Sequence, residues 1–395
     1  MRTTELFVLG TLVWLRAGLL GAQSSSTLQQ FQVDVAVPES PAFVLIGGTP
    51  SNLLRPTLMR DFSAGLSNFA SKDGTVATPQ NLGVEAAPAM LFYGRRLSLA
   101  DYRKSPVLYR LQASVAINTA TNRDAPNQIA LGVRTSLLNG TDPRMDRTYQ
   151  QSIDSVTAEL LKVNRAMYDI ESGGTKVDNP EELVDEPTGD KTPRTRDTVN
   201  VVACHRDLER GDEMSCVVTA ATKQDPAAAT IPLERQRERL NDILRDRRRR
   251  WEDQHWNARS LDVAGGGKVA NRDSLGNDPA VQAVSVWTTY ANPLATWGQW
   301  LVGGSLGWQR NAVTDNLRPQ PTLSTRIYVG ENQHRGYVEA EKRFNDPDRD
   351  GLVNLGGELR LRNSVWASVS AGLMFRPGDQ KNRLVTGFTV RAAGP

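Results

Sequence analysis

The sequence predicts an all-β transmembrane barrel of about twelve antiparallel strands, with an α-helical hairpin insertion. Three observations carry that expectation. Long segments alternate apolar and polar residues with period two. One central stretch changes to a helical period. An apolar run near the start has the order of an export signal. The alternation is densest toward the C-terminus. Val353, Leu355, Gly357, Leu359 and Leu361 form one face, and Asn354, Gly356, Glu358, Arg360 and Arg362 form the other. After a turn at Asn363-Ser364, Val365, Ala367, Val369, Ala371, Leu373 and Phe375 repeat the pattern. Pro377-Gly378-Asp379 marks the next turn, and Leu384, Thr386, Phe388 and Val390 make a last strand.

The same grammar runs upstream. Val107, Tyr109, Leu111, Ala113, Val115 and Ile117 alternate with Leu108, Arg110, Gln112, Ser114, Ala116 and Asn118. Ile129, Leu131, Val133, Thr135 and Leu137 are set against Ala130, Gly132, Arg134 and Ser136. Strands are expected near 57–69, 79–92, 106–120, 126–138, 256–264, 281–292, 297–311, 322–332, 335–344, 352–362, 364–375 and 382–392. An even number returns both termini to one side of a membrane barrel. Many of these segments match the about 9–11 residues of a tilted spanning strand, where a globular strand averages about 5–6. Trp300 and Trp308 share a face eight residues apart, or roughly 27 Å, close to the ~25 Å band between the aromatic girdles of such barrels. Trp287, Tyr290 and Trp297 are expected in one girdle beside the neighbouring turn. A sandwich core is the other way to bury them.

Export accounts for the first residues. Arg2 precedes the apolar run Leu6 to Leu15, and Gly21, Ala22 and a polar stretch follow, which predicts a signal peptide over 1–22. Arg16 interrupts the run and argues against a membrane anchor helix. With the long alternating strands and a final strand close to the chain's end, the sequence resembles Gram-negative outer-membrane β-barrel proteins over roughly 57–138 and 256–392. The resemblance is of class and rests on no specific motif. It implies residence in the bacterial outer membrane, with membrane lipid as a partner. The chain departs from the class where Arg391-Ala392-Ala393-Gly394-Pro395 follows Val390, since such barrels usually finish on an aromatic residue.

The expected domains are the signal peptide 1–22, an N-terminal extension 23–56, barrel strands over 57–138, an insert over 139–255 and the remaining strands over 256–395. In the extension, Phe31, Val33, Val35 and Val37 alternate ahead of Pro41 to Pro56, a segment able to enter the lumen as a plug. In the insert, Ile153, Val156, Leu160, Val163, Met167 and Ile170 form a heptad seam, ended by Gly173-Gly174. A second helix is expected from Pro232 to about Trp251, with Leu233, Leu240, Leu244 and Trp251 as its stripe. The two make an antiparallel hairpin or stand as ordinary amphipathic helices. Between them, Cys204 and Cys216 are candidates for one disulfide, which an oxidising periplasm or cell surface favours. Strand parity puts the insert on the side of the termini, the periplasm, although long loops of such barrels normally face outward.

Composition narrows the functions. The formal charge of +3, from 47 basic and 44 acidic residues, makes no case for nucleic acid. Two cysteines and three histidines leave little for a zinc site or His-based catalysis. Arg245-Asp246-Arg247-Arg248-Arg249-Arg250 reads as a salt-bridged helix face, because acids alternate with the arginines at helical spacing. Gly303-Gly304-Ser305-Leu306-Gly307 fits G-x-S-x-G but lies inside a strand and not at a strand-to-helix turn. Gly265-Gly266-Gly267-Lys268 is read as an extracellular loop. Asp346, Asp348 and Asp350 open like a calcium loop, but Gly357 stands where the last carboxylate belongs, so a hydrophilic hairpin tip is expected. No cofactor or metal is expected.

The expected lumen residues are Arg110, Gln112, Arg134, Arg326, Glu339, Glu341, Arg343, Glu358 and Arg360, since charge on a lipid face costs about 2–4 kcal/mol at the midplane. They line an open pore or cross-brace a filled one. The expected function is a pore or channel for small solutes and not an enzyme. The alternatives are a scaffold whose 139–255 insert binds a periplasmic or surface protein, and a soluble exported β-protein.

Overall fold

The computed structural model describes residues 31, 40–49, 53–54, 62–69, 79–93, 98–118, 127–171, 198–207, 213–222, 226–271, 279–311, 314–346, 349–362, 364–378 and 381–393. The signal segment 1–22 lies outside them, as does most of the extension before Ser40.

The described chain divides into a barrel unit, Met1–Asp146 with Glu252–Pro395, and an insert unit, Arg147–Trp251. The insert is narrower at both ends than its sequence suggests. Barrel strands are β1 (Phe62–Phe69), β2 (Pro79–Ala86), β3 (Gln112–Asn118) and β4 (Gln128–Asn139), then β7 (Ser260–Asn271), β8 (Pro279–Leu294), β9 (Gly298–Arg310), β10 (Leu317–Gly330), β11 (His334–Arg343), β12 (Gly351–Arg362), β13 (Val365–Phe375) and β14 (Arg383–Ala393). They form one closed antiparallel barrel in the order β1-β14-β13-β12-β11-β10-β9-β8-β7-β4-β3-β2. Closure is made by β1 on β14, with Leu66 opposite Val390. Closing the sheet removes both edges, which a membrane requires because lipid supplies no hydrogen bonds.

Twelve barrel strands are present as expected, with shifts where proline intervenes. Pro88 ends β2 early and opens the short helix α2 (Pro88–Tyr93), the second after α1 (Pro41–Leu45). Helices α3 (Leu99–Lys104) and α4 (Pro106–Tyr109) follow, so Val107 and Tyr109 are helical and β3 starts only at Gln112. Proline suits the first turn of a helix, where its missing N–H costs nothing, and that outweighs the alternation around it. The Gly265-Gly266-Gly267-Lys268 stretch is not a loop: it lies in β7, paired with β4 and β8.

The insert unit holds α5 (Arg147–Glu171), a two-stranded sheet of β5 (Thr198–Asp207) and β6 (Glu213–Thr222), and α6 (Pro226–His255), whose last turn belongs to the barrel unit. The heptad positions Ile153, Val156, Val163 and Met167 are buried, as are Leu233, Leu240 and Leu244 of α6. Tyr149 and Trp251 pack with ring centroids 5.2 Å apart, and Arg247 donates to the Ser152 carbonyl, so the helices run antiparallel. α6 begins six residues ahead of expectation and carries Pro232 inside it. Cys204 stands opposite Cys216 in the β5–β6 register, and their side chains lie outside the described set.

Candidate functional site

One end of the barrel, the tight-turn end, closes three hairpins in two or three residues and also carries the 87–111 connection and the insert, while the connections at the other end run six to nine residues. β8 and β9 are joined through residues 295–297, β10 and β11 through 331–333, and β12 and β13 through 363–364. β1 starts and β14 finishes at this end, β4 leaves it at Asn139, and β7 re-enters at Ser260. The insert therefore departs from the end that carries the termini, as strand parity predicts.

The outward face is apolar. Ile327, Val338, Leu355 and Ala371 stand in register across β10, β11, β12 and β13. Leu131 and Leu355 are 59% and 60% exposed, values a water-soluble protein does not sustain over a continuous belt. Trp300 and Trp308 lie outward, and Tyr290 and Trp297 are exposed at the tight-turn end. Trp287 is a correction to the expected girdle: it points inward and packs on Val44 and Leu54.

The inward face is filled by two different materials. Over β10 to β14 the wall fills its own interior. Arg326 faces Glu339 in register and donates to it through Nε and Nη2 at 3.0 and 2.7 Å. Arg335 faces Glu358 and donates from Nε at 2.7 Å, while Arg391 Nη2 lies 3.3 Å from the same carboxylate. Tyr328 OH donates to Glu358 at 3.1 Å and accepts from Arg326 at 2.6 Å. The Arg335 guanidinium lies 4.8 Å from the Trp366 ring centroid, and Arg326 lies 4.5 Å from that of Tyr337. Nearer the other end, Glu341 accepts from Arg343 at 2.7 Å and pairs with Arg349 at 3.2 Å. Glu339, Glu358, Arg335 and Arg391 are 0, 3, 3 and 1% exposed, so no wide water column reaches them.

Over β1 to β4 and β7 to β9 the inward residues are mostly small, and a separate segment covers them. Helix α1 (Pro41–Leu45) is capped by Ser40 Oγ, which accepts from Phe43 N at 3.2 Å. It stops at Gly47, whose φ of 77° disfavours a side chain, with Gly48 N bonded to Phe43 O at 2.9 Å. Ala42, Phe43 and Ile46 pack on Ala116 and Ala130, and Ala42 N donates to Ser114 Oγ at 3.3 Å. Glycines make the seat. A Cβ on Gly83 would lie 2.7 Å from the Phe43 ring, and one on Gly132 would lie 2.8 Å from Pro41. On Gly303 a Cβ would overlap Leu53. Within this wall Arg134 pairs with Glu85 and donates from Nε to Gln112 at 2.9 Å.

The structure thus brings Gln112, Arg134, Arg326, Glu339, Glu341, Arg343 and Glu358 to the barrel interior. Arg360 pairs with Glu252 at 3.3 Å. Arg110 is a correction. It follows α4 and not a strand interior, and there it pairs with Asp142 at 2.8 Å. Tyr102 OH also donates to Asp142, at 2.5 Å. Burial pushes that phenol well above its ordinary range, so it stays a neutral donor. Glu85, Arg335 and Arg391 join the interior from outside the expected set, although each has the inward parity of its strand. Asp346 and Asp350 pair with Arg343 and Lys342, and among the described residues no cluster of metal-ligand side chains forms.

A closed, even-stranded barrel with an apolar exterior and a charged, hydrogen-bonded interior defines a membrane-spanning β-barrel of the outer-membrane class. No protein-family model matches the chain, and no curated protein matches it. Among solved structures it is similar to a loop L8 deletion mutant of OmpT, an outer membrane protein of Vibrio cholerae, at 9% identity over 84% of this chain and 98% of that one, with a TM-score of 0.28. It is similar to the CymD monoaromatic hydrocarbon channel at 8% identity, over 85% and 89%, with a TM-score of 0.28. It is also similar to CdiB from Escherichia coli at 9% identity, over 93% and 69%, with a TM-score of 0.29. Likeness at this level carries no residue role and no activity across to this chain.

Proposed function

We propose that the chain is an outer-membrane β-barrel that passes small solutes through its lumen and is held shut at rest by its own N-terminal segment, acting as a passage and not as a catalyst. One observation carries the reading: half of the interior is filled by a segment that is no part of the wall, seated on glycines that leave room for it. A barrel needing only to be solid can fill that half as it fills the other, with side chains of its own strands. Large inward residues in place of Gly83 and Gly132 prevent seating. In planar bilayers the native chain is expected to stay mostly silent, and the Gly83→Val, Gly132→Val double variant to show discrete conductance steps. A variant that keeps its heat-dependent gel shift yet stays silent ends the reading.

The insert supports a second role, that of a scaffold binding a periplasmic or surface protein. On α5, Leu161 and Tyr168 are 64% and 69% exposed and seven residues apart, a helical stripe facing away from the buried seam. If deleting 147–251 leaves every co-purifying protein in place, that role is wrong.

A further inference from the structure

We propose that residues Glu252–Asn257 are a latch that holds the N-terminal plug in the barrel and ties its release to the helical insert. The proposal deepens the reading of the barrel as a plugged passage. α6 crosses the boundary between the units: the insert ends at Trp251 and the barrel unit resumes at Glu252. The first residues on the barrel side are pinned at the rim of the tight-turn end. Glu252 Oε2 accepts from Arg360 at 3.3 Å and from Asn332 Nδ2 at 3.4 Å. Asn257 Nδ2 donates to the carbonyls of Ala295 and Gly298 at 2.9 and 2.7 Å.

Between those pins Trp256 turns into the barrel and is 2% exposed. It shares one apolar cluster with Leu53 of the plug and with Tyr328. The Arg335 guanidinium lies 5.5 Å from its ring, which joins the latch to the ion network of the opposite wall. Leu53 also lies against the β9 backbone at Gly303, where a side chain would collide with it. Withdrawing Trp256 opens the cluster it shares with Leu53 and removes apolar burial there. The pins are one ion pair and three hydrogen bonds of largely buried side chains, so the latch is held until they are given up together, and no strand pairing has to break. The chain leading into the latch is the insert's second helix, so a protein bound to the insert is placed to drive the withdrawal.

The test uses the full-length barrel with Cys204→Ser, Cys216→Ser and Leu54→Cys, which puts one thiol in the plug. Leu54 is buried with Val44 and Trp287, so its maleimide labelling rate reports release of the plug, and heat-dependent gel mobility reports the folded barrel. Trp256→Ala is expected to speed labelling at least about tenfold, a factor each 1.4 kcal/mol of lost seating supplies. Trp256→Phe should stay within about twofold of the parent, and Trp251→Ala, on the insert side, should also accelerate labelling. Unchanged labelling of a folded Trp256→Ala barrel overturns the latch. Acceleration by Trp256→Ala without any by Trp251→Ala overturns the tie to the insert. Should Trp256→Ala not fold, Asn257→Ala removes two rim hydrogen bonds and no apolar burial; it is expected to label about threefold faster, and no change again overturns the latch. Conductance recorded alongside separates the two ideas: release without current leaves the latch standing and removes the passage.

Discussion

The two halves of the barrel interior solve one problem in opposite ways. From β10 to β14 the space is filled by Arg326, Arg335, Arg391, Glu339 and Glu358 with Tyr328, Tyr337 and Trp366, all belonging to the wall. From β1 to β9 the wall retreats to Gly83, Ala116, Ala130, Gly132 and Gly303, and α1 with Leu53 and Leu54 takes up the room. The first arrangement cannot be emptied without stranding buried charge. On the proposed reading the second can, because α1, Leu53 and Leu54 meet the rest of the interior through apolar clusters. One half of this barrel is a strut and the other is a seat, and a mutation should tell them apart.

The largest expected effect lies in the strut. Glu358→Ala leaves Arg335 and Arg391 facing each other without their shared carboxylate and should lower barrel stability by about 3–5 kcal/mol, read from urea unfolding in lipid vesicles. A loss under about 1 kcal/mol would mean that the network is ornamental. In the seat, Phe43→Ala should cost the plug a comparable about 3–5 kcal/mol of its own packing, while the unfolding midpoint of the barrel barely moves. Proteolysis of the N-terminal segment is the readout, and a matching fall in barrel stability would erase the distinction between the halves. At the tight-turn rim, Tyr102→Phe removes the hydrogen bond donated to Asp142 and the one accepted from Arg110 Nε, and should cost about 1.5–3 kcal/mol. Smallest of all, Lys342→Ala breaks a half-exposed pair with Asp350 and should change stability by about 0–1 kcal/mol in the same urea titration.

Much of the strut is legible in the order of the amino acids. Lipid on one side and a polar interior on the other impose period two, so the inward parity of Arg326, Glu339, Glu341 and Glu358 follows from the apolar residues between them. Which of them pair is set by the hairpin register, which the structure supplies by putting Arg326 opposite Glu339. The seat is harder to read. Trp287 has the look of a girdle residue because an apolar side chain on a barrel normally faces lipid; it faces inward because the plug makes that patch of the interior apolar. Nothing in β8 alone announces a partner contributed by residues 40–49 and 53–54. The helical turn at Pro106–Tyr109 is hidden for another reason, that Val107, Tyr109 and Leu111 fit a strand as well as a short helix. Arg391 stands inside the expected strand 382–392, and its register opposite Gly65 across the closure, together with its reach to Glu358, appears only in the structure.

The central claim is that the N-terminal segment occupies the glycine wall and shuts the barrel, and one cross-link tests it. An ideal Cβ on Gly83 falls 3.0 Å from Cβ of Phe43, a few tenths short of the ~3.5–4.5 Å that a disulfide spans. With Cys204 and Cys216 changed to serine, a Phe43→Cys, Gly83→Cys barrel in a planar bilayer should form the bond on oxidation and fall silent. Reduction should free the plug and bring conductance steps. Failure of the two thiols to link in a folded barrel, or the same current in the oxidised and reduced states, would contradict the account.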